Sequence, residues 1–537
     1  MRSVVAAALS LGCFACVGTL EGPRAEGPVP GAPSTVEAPT TAIPRASRRE
    51  LERTVNSVFG LQGAALRNLP ADAPSSVSPV TLAEEEVFDT LASTKEPTQV
   101  FVEGLESLAF EVARDWSANR AAVDSLAGCA PANGTTTDSA CLGRLVEALA
   151  VRLWRRPATA AERDEVLAAA QPFAADGHYV SVRAVTASML LAPEFVYRSE
   201  LGATVAPGLV RLDNFELLTR LSAFLWGDAP TPDMLAALGP VELDDAALTS
   251  LVDAMLSDPR AQTQMRSFHQ LWLRYPNLLI ADAALATDMR AETDALVSRA
   301  LTPGTSWQTL FTATQTFVTP ALAAHYVLPS PGATAGWIDV APPRAGVLTH
   351  GSFLSLSSTR ITDTLPSRRG AMIARRALCQ VVLPPPKDVN IDNGVPVPPG
   401  ACKAESYAAH RARGSACAGC HATIDGVGFG FEPLDGQGRV RSSDEGNAAC
   451  TLDGKGTAMG QPFTGAREFV TAQVDTITRC AVSNVLRFAY RDRFVPEDRV
   501  AQFHGAFRAS NHDFAALMRA VALDPRFRLR VSDEGQP

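Results

Sequence analysis

The chain has 537 residues, 46% of them hydrophobic, which is enough for three or four globular units of about 150 residues each. Its 57 acidic residues outnumber its 48 basic ones, giving a net charge of -9. No diffuse cationic field therefore exists to hold phosphate backbones or anionic lipid, and nucleic acid is a poor partner.

The start, "MRSVVAAALSLGCFACVG", places Arg2 before an apolar run broken only by Ser10, then Cys13 and Cys16. This is the layout of a secretory signal, and it is too short to span a bilayer. A cysteine closing such a signal resembles the lipobox of bacterial lipoproteins, so residues 1–16 are expected to be a lipoprotein-type signal whose acylated cysteine anchors the chain to a membrane. Neither cysteine has the usual Leu three residues before it. Acylation at Cys16 leaves an even number of cysteines in the body, whereas the Gly12-Cys13 junction favours Cys13. An ordinary cleaved signal and a soluble periplasmic protein form the alternative. Residues 17–46, rich in Pro and Ala, read as an extended tether.

Helical patterning follows. Ser47 and Glu50 form an S-x-x-E capping box, Leu51, Val55 and Val58 recur at helical spacing, and Gly60 is placed to stop the helix, opening an N-terminal helical domain over 47–128. A second helical domain, 129–202, holds "LGRLVEALAVRLWRR" up to Pro157, then Thr159 with Glu162 as the next cap. A third, 203–335, is Ala- and Leu-rich and amphipathic. Nothing in 47–330 alternates convincingly like a strand, and Trp154, Trp226 and Trp272 are expected in cores. From 336 to 446 Gly and Pro dissolve the periodicity, and helices return over 447–537. The expected fold is mainly α: a multi-domain helical body with an irregular Gly/Pro-rich haem segment near the C-terminus.

Export would place the cysteines in an oxidising compartment. Apart from Cys417 and Cys420, six remain in the body, and six allow fifteen connectivities. Sequence neighbours suggest Cys129 with Cys141, Cys379 with Cys402 and Cys450 with Cys480. The first is the most believable, because "CAPANGTTTDSAC" is a polar, turn-rich loop.

The chemistry lies in "CAGCHATIDG". A C-x-x-C-H sequence offers two thiols for thioether bonds to haem vinyl groups and an imidazole for the iron, here Cys417, Cys420 and His421. A redox disulfide would need a surrounding βαβ pattern, and structural zinc a fourth ligand; neither is evident. The glycines of "GVGFGFEPLDGQGR" suit a backbone passing close to a flat cofactor. Pro433 resembles the proline of small class I cytochromes c whose carbonyl accepts the proximal histidine's second N–H. Arg439 is a candidate propionate partner. For the sixth ligand, Met459 in a glycine-rich loop, His410 and His350 are the candidates.

"HRARGSACAGCHATIDGVGFGFEPLDGQGRVR" resembles the cytochrome c domains of a planctomycete-type multidomain family, matching at His410, Arg411, Cys417, Cys420, His421, Ile424, Asp425, Gly428, Phe429, Glu432, Asp435, Gly438 and Arg441. Gly426 stands where that pattern has Pro. The family is built from domains of unknown function numbered 1587, 1595, 1592, 1588 and 1585. "SRRELERTVNSVFGL" resembles the first, "LWRRPATAAE" with "APEFVYRSELG" the second, "NFELLTRLSAFLWG" with "LSDPRA" the third, "RAGVLTHGSFLSLSS" with "RRGAMIARRALC" the fourth, and the final helices the fifth. The resemblance implies a secreted or lipid-anchored cytochrome-like protein and no settled reaction.

The leading expectation is an envelope protein with one covalent haem c, anchored at the outer membrane or periplasmic, passing single electrons to or from a protein partner. The alternatives are a haem-dependent oxidoreductase or peroxidase of an extracellular degradative system, and a haem-free surface module with a Cys417–Cys420 disulfide. "GTSWQ" and "HGSF" lack the G-x-S-x-G elbow of hydrolases.

Overall fold

Ser47 caps the first helix, Arg48–Phe59: its hydroxyl accepts the Glu50 N–H, while the Glu50 carboxylate accepts the Ser47 N–H at 2.7 Å. Gly60 ends that helix in the left-handed conformation, φ 70°, which costs glycine nothing. The same reciprocal cap at Thr159 and Glu162 opens Ala160–Ala168. Helix Ser139–Leu153 stops earlier than the proline would require, because Arg155 turns left-handed at φ 61° two residues before Pro157.

The computed structural model describes residues 44–72, 88–91, 97–238, 242–357, 364–382, 396–412, 418–444, 447–492 and 494–531. Cys13, Cys16, Cys417 and the tether up to residue 43 lie outside them, as does the side chain of His410. The last residues of the segment expected to be a tether, 17–46, are described. Arg45 bridges Tyr197 and pairs with Asp72 at 2.9 Å, and Ala46 is buried, so residues 44–46 already belong to the folded body.

The described residues form twenty-two α-helices and a few short strands. Apolar residues from Ala46 to Val196 close over one core, shared by the segments 47–128 and 129–202. A larger core runs from Phe88 and Leu91 through Leu212 to Phe527 and takes in residues of the last three expected segments together. Its centre is aromatic: Trp272 and Trp307 stack with centroids 5.7 Å apart, and the Trp307 indole N–H donates to His269 Nε2 at 2.8 Å. Trp154, Trp226 and Trp272 are all buried.

Strands do occur before residue 330. Ala203–Ala206, Leu209–Arg211 and Leu529–Val531 form an antiparallel sheet, and Gln315–Val318 pairs with Gly336–Asp339. Each is three or four residues long, too short for alternation to register as a period. The segment 336–446 is also more regular than expected, holding helices Pro366–Leu378, Lys403–Arg411 and Ala418–Phe429.

Cys129 and Cys141 are bonded as expected, but the other pairs are Cys379–Cys480 and Cys402–Cys450. Cys379 closes the helix Pro366–Leu378 where it lies against the helix Gly465–Tyr490, and Cys402, just before Lys403–Arg411, reaches the strand Asn447–Thr451. Spatial neighbours replace sequence neighbours because tertiary packing fixes both partners.

Candidate functional site

The motif helix, Ala418–Phe429, lies on the arginine helix, Pro366–Leu378. Their backbones approach so closely that a Cβ added at Gly370 would lie 1.7 Å from the Ile424 carbonyl oxygen, and one at Gly428 would lie 1.9 Å from that of Pro366. The hairpin of Lys455–Ala458 and Gln461–Thr464 covers another side, with Gly426 against the Thr457 carbonyl and Gly430 against the Phe463 ring. These glycines are therefore filled by protein, and the expectation that they clear space for a flat cofactor is corrected.

His421 and Asp425 are one turn apart on one face of the motif helix. Asp425 Oδ1 lies 3.0 Å from His421 Nδ1, and the Ser367 hydroxyl, from the first turn of the arginine helix, donates to the same Oδ1 at 2.5 Å. Ser367 Oγ is also 3.2 Å from Nδ1. The Asp425 side chain is wholly buried and the imidazole 20% exposed. Cys420, adjacent to His421, is half-buried.

A charged cluster stabilises the loop that follows. Glu432, buried, accepts from Arg369 at 3.1 Å, Arg441 at 2.6 Å and the Thr364 hydroxyl at 2.5 Å, with Lys403 Nζ at 3.9 Å. Burial acts to raise its carboxyl pKa, but Arg369, Arg441 and Lys403 together hold it below the usual carboxylate range. Arg369 is itself fully buried and donates to the carbonyls of Phe431 and Leu434 at 2.7 and 2.8 Å. Desolvation of this guanidinium is offset by carbonyls and a carboxylate in hydrogen-bond reach.

The remaining expected residues fall in different places. The Pro433 carbonyl accepts the Arg441 N–H at 2.9 Å, and it is Asp425 that lies beside His421 Nδ1. Arg439 is bound by Asp435, Nε to Oδ2 2.7 Å, on the surface. Met459 turns the hairpin at φ 49°, is 55% exposed, and places its sulfur 4.0 Å from Thr476 Oγ1. His350 is buried in the helical body, 2.9 Å from the Thr293 hydroxyl and 3.7 Å from Glu292. His410 lies on the helix Lys403–Arg411. Among the described residues, no three His, Cys, Asp or Glu side chains gather as a metal site, and no helix is long and apolar enough to cross a membrane.

A second feature is a cleft of about 1020 Å³ lined by Trp154, Arg156, Tyr197, Phe215, Glu216 and Arg211 among others. Its wall is built by "LWRRP" and "PEFVYR". Arg155, whose pKa burial pushes down to about 9, donates to the carbonyls of Glu194, Phe195 and Tyr197. Arg198 pairs with Glu50 at 2.8 Å, and Glu50 also binds Arg491 at 3.1 Å, tying the first helix to the C-terminal segment.

Three stretches match families described as proteins of unknown function: residues 141–200 the PSD5 family (DUF1595), 212–328 the PSD4 family (DUF1592), and 344–444 the PSCyt3 family (DUF1588). The chain carries these three domains in that order. No curated protein and no solved structure matches it. The cleft falls at the junction of the PSD5 and PSD4 segments, while the arginine helix, the motif helix and the Glu432 cluster all lie in PSCyt3. Asp425, Ser367, Arg369 and Glu432 are the site residues that spacing did not assign. Asp425 and Glu432 stood in the motif as matches without a role; the i, i+4 spacing of His421 and Asp425 was a local signal for the first, whereas Arg369, which reveals the second, comes from a helix more than fifty positions earlier.

Proposed function

We propose that this is an exported, lipid-anchored protein of the cell envelope that carries one covalent haem c and passes single electrons between a donor and an acceptor protein. In this reading Cys417 and Cys420 form the thioethers, His421 ligates the iron, and Met459 or His410 is the candidate for the opposite face. Arg439 is the candidate for a propionate. Lipidation would be at Cys13 or Cys16, and the first and last helices would be the 1587- and 1585-type domains of the multidomain family.

The observation that carries the reading is the imidazole of His421, held through Nδ1 by a buried carboxylate directly after Cys420. That is the donor arrangement expected of a metal-binding histidine, in which an outer partner fixes the ring and leaves iron ligation to Nε2. His421 and the adjacent Cys420 are the described residues that support the reading. Bound there, haem would supply a one-electron Fe(III)/Fe(II) couple. The chain's own part is to orient the imidazole, to clamp the motif helix by its glycine contacts, and to hold the loop beyond it through Glu432.

The test is a visible spectrum and a haem-stained denaturing gel of protein made, with its signal, in a host that matures cytochromes c. A Soret band and haem that survives denaturation are expected in the parent and lost when Cys417 and Cys420 are both changed to Ala. A parent without either signal overturns the reading. Reduced spectra of Met459→Ala and His410→Ala then identify the sixth ligand, and a spectrum unchanged in both removes both candidates.

A further inference from the structure

Resting on the haem reading, we infer that Asp425 is a positioning residue that sets the reduction potential of the site through His421, making it a low-potential centre. In the small cytochromes c that the motif resembles, a neutral carbonyl receives the proximal histidine's second N–H. Here the corresponding carbonyl, that of Pro433, accepts the Arg441 N–H, and the acceptor at Nδ1 is a carboxylate.

The difference matters because a buried anion draws the Nδ1 proton more strongly than a carbonyl does, leaving the ring richer in electrons at Nε2. An electron-rich ligand stabilises Fe(III) over Fe(II). The negative charge acts in the same direction through space, and no side-chain surface of Asp425 is open to solvent to screen it. Ser367 acts as a counterweight: its hydroxyl donates to the same Oδ1 at 2.5 Å and competes with the imidazole for that oxygen. The couple itself is Fe(III) plus one electron giving Fe(II).

The experiment is a mediated spectroelectrochemical titration of the haem-loaded full chain. Asp425→Asn keeps the size of the side chain, removes its charge and should make the iron about tenfold easier to reduce, a rise of about 59 mV for one electron. Asp425→Glu should restore most of the original value. Ser367→Ala should shift the potential downward, because one donor competing with the imidazole for Oδ1 is then removed. If the Asn variant does not mature, Ser367→Ala decides the matter by itself. Loaded parent and variants with the same potential overturn the inference while leaving haem binding intact; a parent without haem overturns the haem reading instead.

Discussion

Helices Gln99–Ala118 and His178–Leu191 of the N-terminal body meet through side chains, with Leu105, Leu108, Val112, Val182 and Val185 all buried in one cluster. The arginine and motif helices of the PSCyt3 segment meet instead through backbone, at Gly370 and Gly428, with Arg369 and Glu432 buried beside the contact. The first kind of interface can absorb a change of shape by repacking neighbours. The second has no side chain to yield, and its position is fixed by charges that must stay paired. A site that depends on one turn of helix keeping its place is better served by the second kind, even though it tolerates substitution less.

Glu432→Ala should show the largest effect. It leaves Arg369 and Arg441 facing an emptied site, and removing one partner of a buried pair costs about 3–5 kcal/mol, measurable as a lower denaturant midpoint at pH 7. The sign with pH is set by the depressed folded-state value of Glu432: its contribution is fully present above the unfolded pKa near 4.5 and is lost as pH falls through the lower folded value. The gap between parent and variant should therefore shrink below that pH. Gly428→Ala comes next, because the new methyl meets the Pro366 carbonyl. About 1–3 kcal/mol of overpacking is expected by urea unfolding, and a stability equal to the parent's would sink the backbone-contact description.

Smaller effects are expected in the N-terminal body. Ser47→Ala should cost about 1 kcal/mol by removing the cap of Arg48–Phe59, seen in the same unfolding assay. Gly143→Ala should have the opposite sign. Gly143 lies inside helix Ser139–Leu153 with nothing within 4 Å of the added methyl, so a gain of about 0.5–1 kcal/mol is expected from helix propensity. A loss there would erase the contrast between the two regions.

What could be read from sequence divides along the same line. The caps at Ser47 and Thr159, the stop at Gly60 and the helical periods rest on residues within a turn of one another, and the structure shows them where the pattern put them. The Cys129–Cys141 bridge is likewise local. The acceptor at His421 Nδ1 is local too, one turn along the same helix, whereas the partner of Cys379, the Ser367 hydroxyl at Asp425 and the packing of Gly426, Gly428 and Gly430 depend on residues brought from other elements, and no spacing rule encodes those. Pro433 lies at the distance from the motif that the small cytochromes show, and the Arg441 N–H on its carbonyl is again a contact that spacing does not give.

The disulfides have a consequence for the order of events in maturation. The Cys402–Cys450 ring lies inside the Cys379–Cys480 ring, and the cysteines, histidine and carboxylates of the motif all lie within the inner one. A chain emerging N-terminus first can close Cys129–Cys141 early and the inner ring next, whereas the outer ring waits for Cys480, near the end of synthesis. The motif segment can thus be enclosed while the helix Gly465–Tyr490 is still incomplete. Once both rings are shut, a single cut anywhere between residues 402 and 450 leaves the two pieces covalently joined, as one band on a non-reducing gel and two after reduction.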